Sequence, residues 1–485
     1  MNTRYYSIFS LLFIGILFCS CTKGNDVVIY PAPSGIELNQ KFSVTVNGKN
    51  VPVYNARVCV EDREERHKGI ARAEYSEYFY DIAGMAYFDM RKEPVMISVA
   101  IDAPITSAKV LPTSEGIIPK IQGNKIVFEV HKPQNLTIDI NGDIIRSLHL
   151  FVNEEEKDIP DTNDPNVIYF GPGIHDVTSM VIDDNKTVYV AGGAFIRGII
   201  GENERFRVES GSGLKVYSGP TFYLRGKNIT FRGRGIIDQT LCPTHARNLL
   251  LARGSDIKIE GVILHNSSVW TLPVRECSNV VIDNVKILGY RANADGFDIC
   301  SSENVIVENC FARTMDDLVV IKSPKESGAV KDITVRKCVL WNEVAHALSV
   351  GAELTKPVEN VLFTDCDIIH DHCREWSLRV YQCDAGLVKN IRFENIRIEE
   401  SVKFISLWIG SAVWSTDSGR GNIRDIVFKD ITVKGDTPLK AELKGFDSQH
   451  TVENVLLENI TINGNRLTSQ DVISNEFVSN VTIKP

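Results

Sequence analysis

Beyond the first twenty residues, no stretch approaches the roughly 18 consecutive apolar residues of a membrane-spanning helix. No run of Lys or Arg occurs, and 53 basic residues are outnumbered by 62 acidic ones, for a formal net charge of −9. A nucleic-acid partner, which needs a basic footprint, is therefore excluded. Paired C-x-x-C spacing is missing, which removes a structural zinc site. Eleven cysteines in 485 residues are too few for a disulfide-dense scaffold. From residue 166 onward there is no 3.6-period segment of useful length, so helical repeats are excluded as well. What is present is ordinary core-forming material, with 43% hydrophobic and 24% charged residues, which excludes disordered and fibrous chains.

Residues 1–20 read as a leader. Arg4 precedes an apolar run from Ile8 to Phe18, too short to span a bilayer but suited to a secretory h-region. The sequence Phe18-Cys19-Ser20-Cys21 resembles a bacterial lipobox, which implies a lipidated Cys21 after cleavage; an ordinary cleaved signal is the alternative. The expected location is across the inner membrane, lipid-anchored at the outer membrane or facing the periplasm. Residues 21–36 would be a linker.

Residues 37–153 alternate in short runs, such as Val95–Ala100 and Leu136–Ile140, with Asn-Gly turns at 47–48 and 141–142. Period-2 patterning with such turns points to antiparallel hairpins and a small accessory β-sandwich. An acidic, Pro-containing stretch then connects it to residues 166–485.

There a motif of the form Asn/Asp-Val/Ile-x-Ile/Val recurs from Asn228, Asp256, Asn279, Asn304, Asp332, Asn360, Asn390, Asp425, Asn454 and Asn480. Such periods mean stacked units, and short β-branched strands without helices leave a right-handed parallel β-helix. Cys310, Cys338 and Cys366 share a register with Ile396, Ile431 and Ile460, so they belong to an interior ladder. Cys373 and Cys383 could bridge within a loop, which an oxidising compartment permits.

Between successive repeats lie four polar segments: Asn293-Ala-Asp295-Gly296, Asp316-Asp317, Ala345-His346-Ala347 and Arg379-Val380-Tyr381. Stacked coils would gather three carboxylates, a His and an Arg on one outer face. Inverting glycosidic cleavage needs one carboxylic acid and one carboxylate, about 6.5–9.5 Å apart. Crowding of like charges raises at least one pKa and keeps a proton available. Asp298 reads only as a coil cap. Trp376, Trp408 and Trp414 follow, and loop tryptophans both stack on sugars and fill cores.

The order of these segments resembles the polygalacturonase family, glycoside hydrolase family 28, with its Asn-Thr-Asp-Gly, Asp-Asp, Gly-His-Gly and Arg-Ile-Lys hallmarks. That resemblance implies Asp316 as general acid, Asp295 and Asp317 as water activators, and His346 as support for the acid. It implies Asn293, Lys322, Arg379 and Tyr381 on the substrate, with no cofactor and no metal. Two departures stand out: Tyr381 replaces the lysine that binds a uronate carboxylate, and alanines flank His346. The sandwich and Tyr381 are also similar to the dextranase and isopullulanase family, glycoside hydrolase family 49, whose members act on neutral α-glucans. The expected protein is a monomeric, polysaccharide-cleaving inverting hydrolase, most readily of pectic, galacturonic-acid-containing glycans. The alternatives are a neutral α-glucan hydrolase, a calcium-dependent β-helix lyase with Arg379 as base, and a non-catalytic glycan-binding lipoprotein.

Overall fold

The computed structural model describes residues 26–59, 80–210, 212–372 and 375–485. The leader, Cys21 and Cys373 lie outside the described residues, and Cys383 is a buried thiol. Among the described residues, no helix is long and apolar enough to cross a membrane.

The N-terminal part is a sandwich of a six-stranded and a five-stranded sheet. Phe42, Val44, Ile97, Phe128, Leu136 and Leu150 fill the space between them. Asn47 and Gly48 both take positive φ and close the hairpin of Ser43–Val46 with Lys49–Val51, as an Asn-Gly turn should. Two expectations need correction. Val27–Val28, placed in the linker, pairs with Asp89 and Met90 as an edge strand, too short to show any alternation. The sandwich is not wholly antiparallel, because Leu148–Glu154 runs parallel to Asp81–Met90 at its centre.

From Val167 the chain winds into a parallel β-helix, thirty strands in one continuous hydrogen-bonded ladder. The repeat motif has a local cause. Each of its ten Asn or Asp starts sits at φ between 52° and 60°, a left-handed conformation that Asn and Asp tolerate best among non-glycine residues. The same side chains bond from coil to coil: Asn279 to Asp256, Asn304 to Asn279, and Asn390 to Asn360 at 3.0, 2.8 and 2.7 Å. Inside, Cys310, Cys338, Cys366, Ile396, Ile431 and Ile460 form the expected buried ladder.

The sandwich lies along one flank of the helix. Tyr54, Met85, Tyr87 and Phe151 meet Phe311 and Trp341 in a shared core. Arg234 is paired with Asp89 at 2.9 Å, and Arg313 donates to His149 Nε2 at 3.0 Å while lying over the Trp341 ring. Further along the seam, Cys59 of the sandwich packs against Met315 and Val344.

Candidate active site

One face of the helix is built from Leu272–Arg275, Phe297–Cys300, Val319–Ser323, Leu348–Leu354, Leu378–Gln382 and Ile405–Ile409. Phe297, Val319, Leu348, Leu378 and Ile405 are paired in register and point into the core. Period-2 alternation then fixes which neighbours face out. One position after these residues stand Asp298, Val320, Ser349 and Arg379. Two positions before them, in the turns ahead of the strands where alternation no longer applies, stand Asp295, Asp317, His346, Trp376 and Lys403, one on each coil. Adjacent strands lie about 4.8 Å apart, so this column brings Asp295, Asp317 and His346 together without any long loop. Gly296 is required beside it, because a Cβ there would meet the Leu318 carbonyl oxygen at 2.4 Å.

The column forms a hydrogen-bonded chain. His346 Nδ1 lies 2.6 Å from Asp317 Oδ1, and Arg379 Nη1 lies 2.9 Å from His346 Nε2. A guanidinium can only donate, so Nε2 accepts and Nδ1 carries the proton given to Asp317. His346 is thereby held neutral, and its bond falls on Asp317 rather than on the acid it was expected to support. Arg379 is 5% exposed and also bonds Glu375 at 2.6 Å. Its guanidinium lies 4.5 Å from the Trp376 ring and 3.8 Å from the Tyr381 ring. Arg379, expected at the substrate, places its Nη1 on His346 and Glu375 and so positions the histidine.

Lys322 is similarly committed. Its ammonium sits 3.1 Å from Asp295, 3.0 Å from Asp298 and 3.6 Å from Glu353, over the Trp270 ring. Asp298 is therefore no coil cap but a fully buried partner of this lysine. Burial pushes its carboxyl up to about 6, against the pull of Lys322. Burial likewise drives Asp295 well above the usual carboxylate range despite Lys322. Asp317 goes the other way: burial opposes ionisation, but the hydrogen bonds from the His346 ring and backbone N–H, together with the Lys322 ammonium, hold the carboxyl low.

Oxygens of Asp295, Asp316 and Asp317 all lie within 4.8 Å of one another, closer than the expected gap. The cause is the shared register of Asp295 and Asp317, with Asp316 next to Asp317 in the chain. A single water making two bonds of about 2.8 Å spans about 4.5 Å between its acceptors, so two of these carboxylates can hold one water. The grouping is also close enough for a cation. Calcium, however, wants six to eight oxygens, and the Lys322 ammonium already stands against Asp295.

These residues line a cavity of about 130 Å³, together with Trp270, Asn293, Glu353, Glu375, Tyr381 and Trp414. Asn293 takes φ 57° and bonds His245 at 3.1 Å. Trp270 and Glu375, in loops, and Glu353, near the end of the strand Leu348–Leu354, escaped the sequence reading because isolated residues carry no pattern. A wider groove of about 630 Å³ follows the domain seam. Its charges are largely paired with each other, as in Arg397 with Asp367 and Arg336 with Glu308 nearby.

Fold and site together define a parallel β-helix protein with a carboxylate cluster on its outer face, the design of polysaccharide-cleaving β-helix proteins. Residues 208–481 match the family model of glycosyl hydrolases family 28. The chain belongs to that family. An endo-polygalacturonase of Pectobacterium carotovorum subsp. carotovorum is 29% identical over 196 residues, 40% of this chain and 44% of that protein. An exopolygalacturonase of Cochliobolus carbonum is 24% identical over 237 residues, 44% of this chain and 46% of that protein. The chain thus spans about half the length of the curated relatives it matches. The hyperthermoactive exopolygalacturonase of Thermotoga maritima overlays with a TM-score of 0.52 at 18% identity, covering 66% of this chain and 84% of that one. The family 28 exopolygalacturonase of Yersinia enterocolitica overlays with a TM-score of 0.50 at 13% identity, covering 94% and 96%. Both overlays share the fold.

Proposed function

We propose that the protein is an inverting glycoside hydrolase of galacturonic-acid-containing pectic glycans. The observation that carries this reading is the chain from Arg379 through neutral His346 to Asp317, set beside the less buried Asp316. Environments that push neighbouring carboxylates apart separate the acid from the base. Asp317, held ionised, takes a proton from water that Asp295 helps to orient. Asp316, open to the cavity, gives its proton to the glycosidic oxygen. The water oxygen bonds to the anomeric carbon as the glycosidic C–O bond breaks, so the configuration inverts. Arg379 is unsuited to the base role that elimination would require, since its guanidinium is buried and already donates to two acceptors.

The polygalacturonase relatives support a pectic substrate, and the site chemistry supports hydrolysis. We further propose secretion with an N-terminal lipid anchor at Cys21, and a monomer. Asp316→Asn is expected to abolish release of reducing ends from pectic fragments while the melting temperature stays close to wild type. NMR of the first-formed anomer tests the stereochemistry, and a retained anomer overturns it.

A further inference from the structure

The cavity's charge is lopsided. Five carboxylates line it, from Asp295, Asp316, Asp317, Glu353 and Glu375. The lining holds one ammonium, Lys322, which Asp295, Asp298 and Glu353 already surround. Arg379 stands behind the lining, bonded to Glu375 and to a His346 that the same bond keeps neutral. Lys403, the next cation along the column, rests over the Trp376 ring rather than in the lining. Among the described residues, then, every cation at the cavity is matched by a carboxylate. Allowing Asp316 and Asp295 their protons leaves no positive surplus. A sugar carboxylate entering here would meet Glu353 and Glu375, which already hold Lys322 and Arg379. It would have to compete with them for a cation, and like charge at the site is a rejecting element.

The rest of the lining favours a different guest. Trp270, Tyr381 and Trp414 present aromatic surface to the cavity, and aromatic rings pack well against the C–H faces of an uncharged pyranose. Tyr381 is itself fixed, with its ring 3.8 Å from the Arg379 guanidinium and 5.1 Å from Trp408.

We propose that the sugar ring held in this cavity is uncharged, either a neutral sugar or a uronate whose carboxyl is esterified. Within a pectic glycan, cleavage then falls at an uncharged residue rather than at free galacturonate. This selectivity rests on the glycosidase reading above, and Tyr381, Glu353 and Glu375 are its determinants.

Galacturonate, its methyl ester and galactose share one ring and differ at carbon six, so they isolate the charge. Calorimetric titration of the wild-type protein with each is expected to show the ester and galactose binding at least about tenfold more tightly than the free acid. The gap should narrow as salt rises, because screening weakens the repulsion. Tyr381→Lys should reverse the order, and Glu353→Gln should improve galacturonate binding more than galactose binding. Equal or tighter binding of the free acid overturns the proposal, and so does failure of all three sugars to bind. Rates on oligogalacturonides and their methyl esters separate this claim from the broader one. Free-acid oligomers cleaved as fast as esters overturn the charge selectivity and leave the glycosidase reading standing. No cleavage of any glycan, with the ester preference intact, does the reverse.

Discussion

At the residue scale, Arg379 decides the protonation of the column without touching the reacting atoms. A single nitrogen, Nη1, donates to both His346 Nε2 and Glu375, and the guanidinium plane packs against the Trp376 and Tyr381 rings. In Arg379→Met, His346 Nε2 loses its donor and is free to accept a proton instead. A cationic His346 would pair with Asp317 and weaken it as a base. We expect kcat to fall by about one to two orders of magnitude, with KM within about twofold. The acid limb of the kcat–pH profile should move toward neutrality, and an unmoved limb would show that Arg379 only supports the fold. Much of this column is readable in the chain itself. Asp295-Gly-Phe, Asp317-Leu-Val, His346-Ala-Leu and Trp376-Ser-Leu align when counted forward to the strand that follows. Counting back from the next Asn repeat hides the register, because the intervening loops differ in length. Asp298 was misread for another reason: its meaning depends on Lys322, one coil away.

At the scale of the element, stacking forces neighbouring coils to place similar residues at equivalent positions. Phe363, Phe393 and Phe428 show this, with ring centroids 4.8 Å apart on both sides of Phe393 and all three buried. Phe393→Ala should cost about 3–5 kcal/mol, read from the urea midpoint, because both neighbours lose contact with the ring. Activity per folded molecule should be unchanged, since the ring points inward. The same demand is what made the β-helix legible: an Asn or Asp at each left-handed turn and Ile or Cys at one interior register are visible repeats. The sandwich was only partly legible. Asp81–Met90 and Leu148–Glu154 are buried on both faces, so neither alternates in the way that identifies a half-buried strand.

For the whole molecule, the seam between sandwich and helix is a buried core with polar members. Lys286 is one of them, bonding Asn153 of the sandwich at 2.5 Å and Asn284 at 2.7 Å. Burial lowers its pKa from 10.5 to about 7. The folded protein therefore holds fewer protons at this site than the unfolded chain between those values, and stability contributed here rises with pH across that window. Lys286→Met should raise the melting temperature at pH 7, where the buried ammonium is most costly, and flatten the dependence from pH 7 to 10. A thermal scan at several pH values checks both, and a lower melting temperature at pH 7 would show that its two amide partners compensate the burial. The coil-by-coil column has a further consequence for how such a protein diversifies. Neighbouring turns each contribute side chains at a fixed register, so a residue at the cavity rim such as Tyr381 can change without disturbing the bonded chain of Arg379, His346 and Asp317. Selectivity for the sugar can then shift while acid, base and water keep their places.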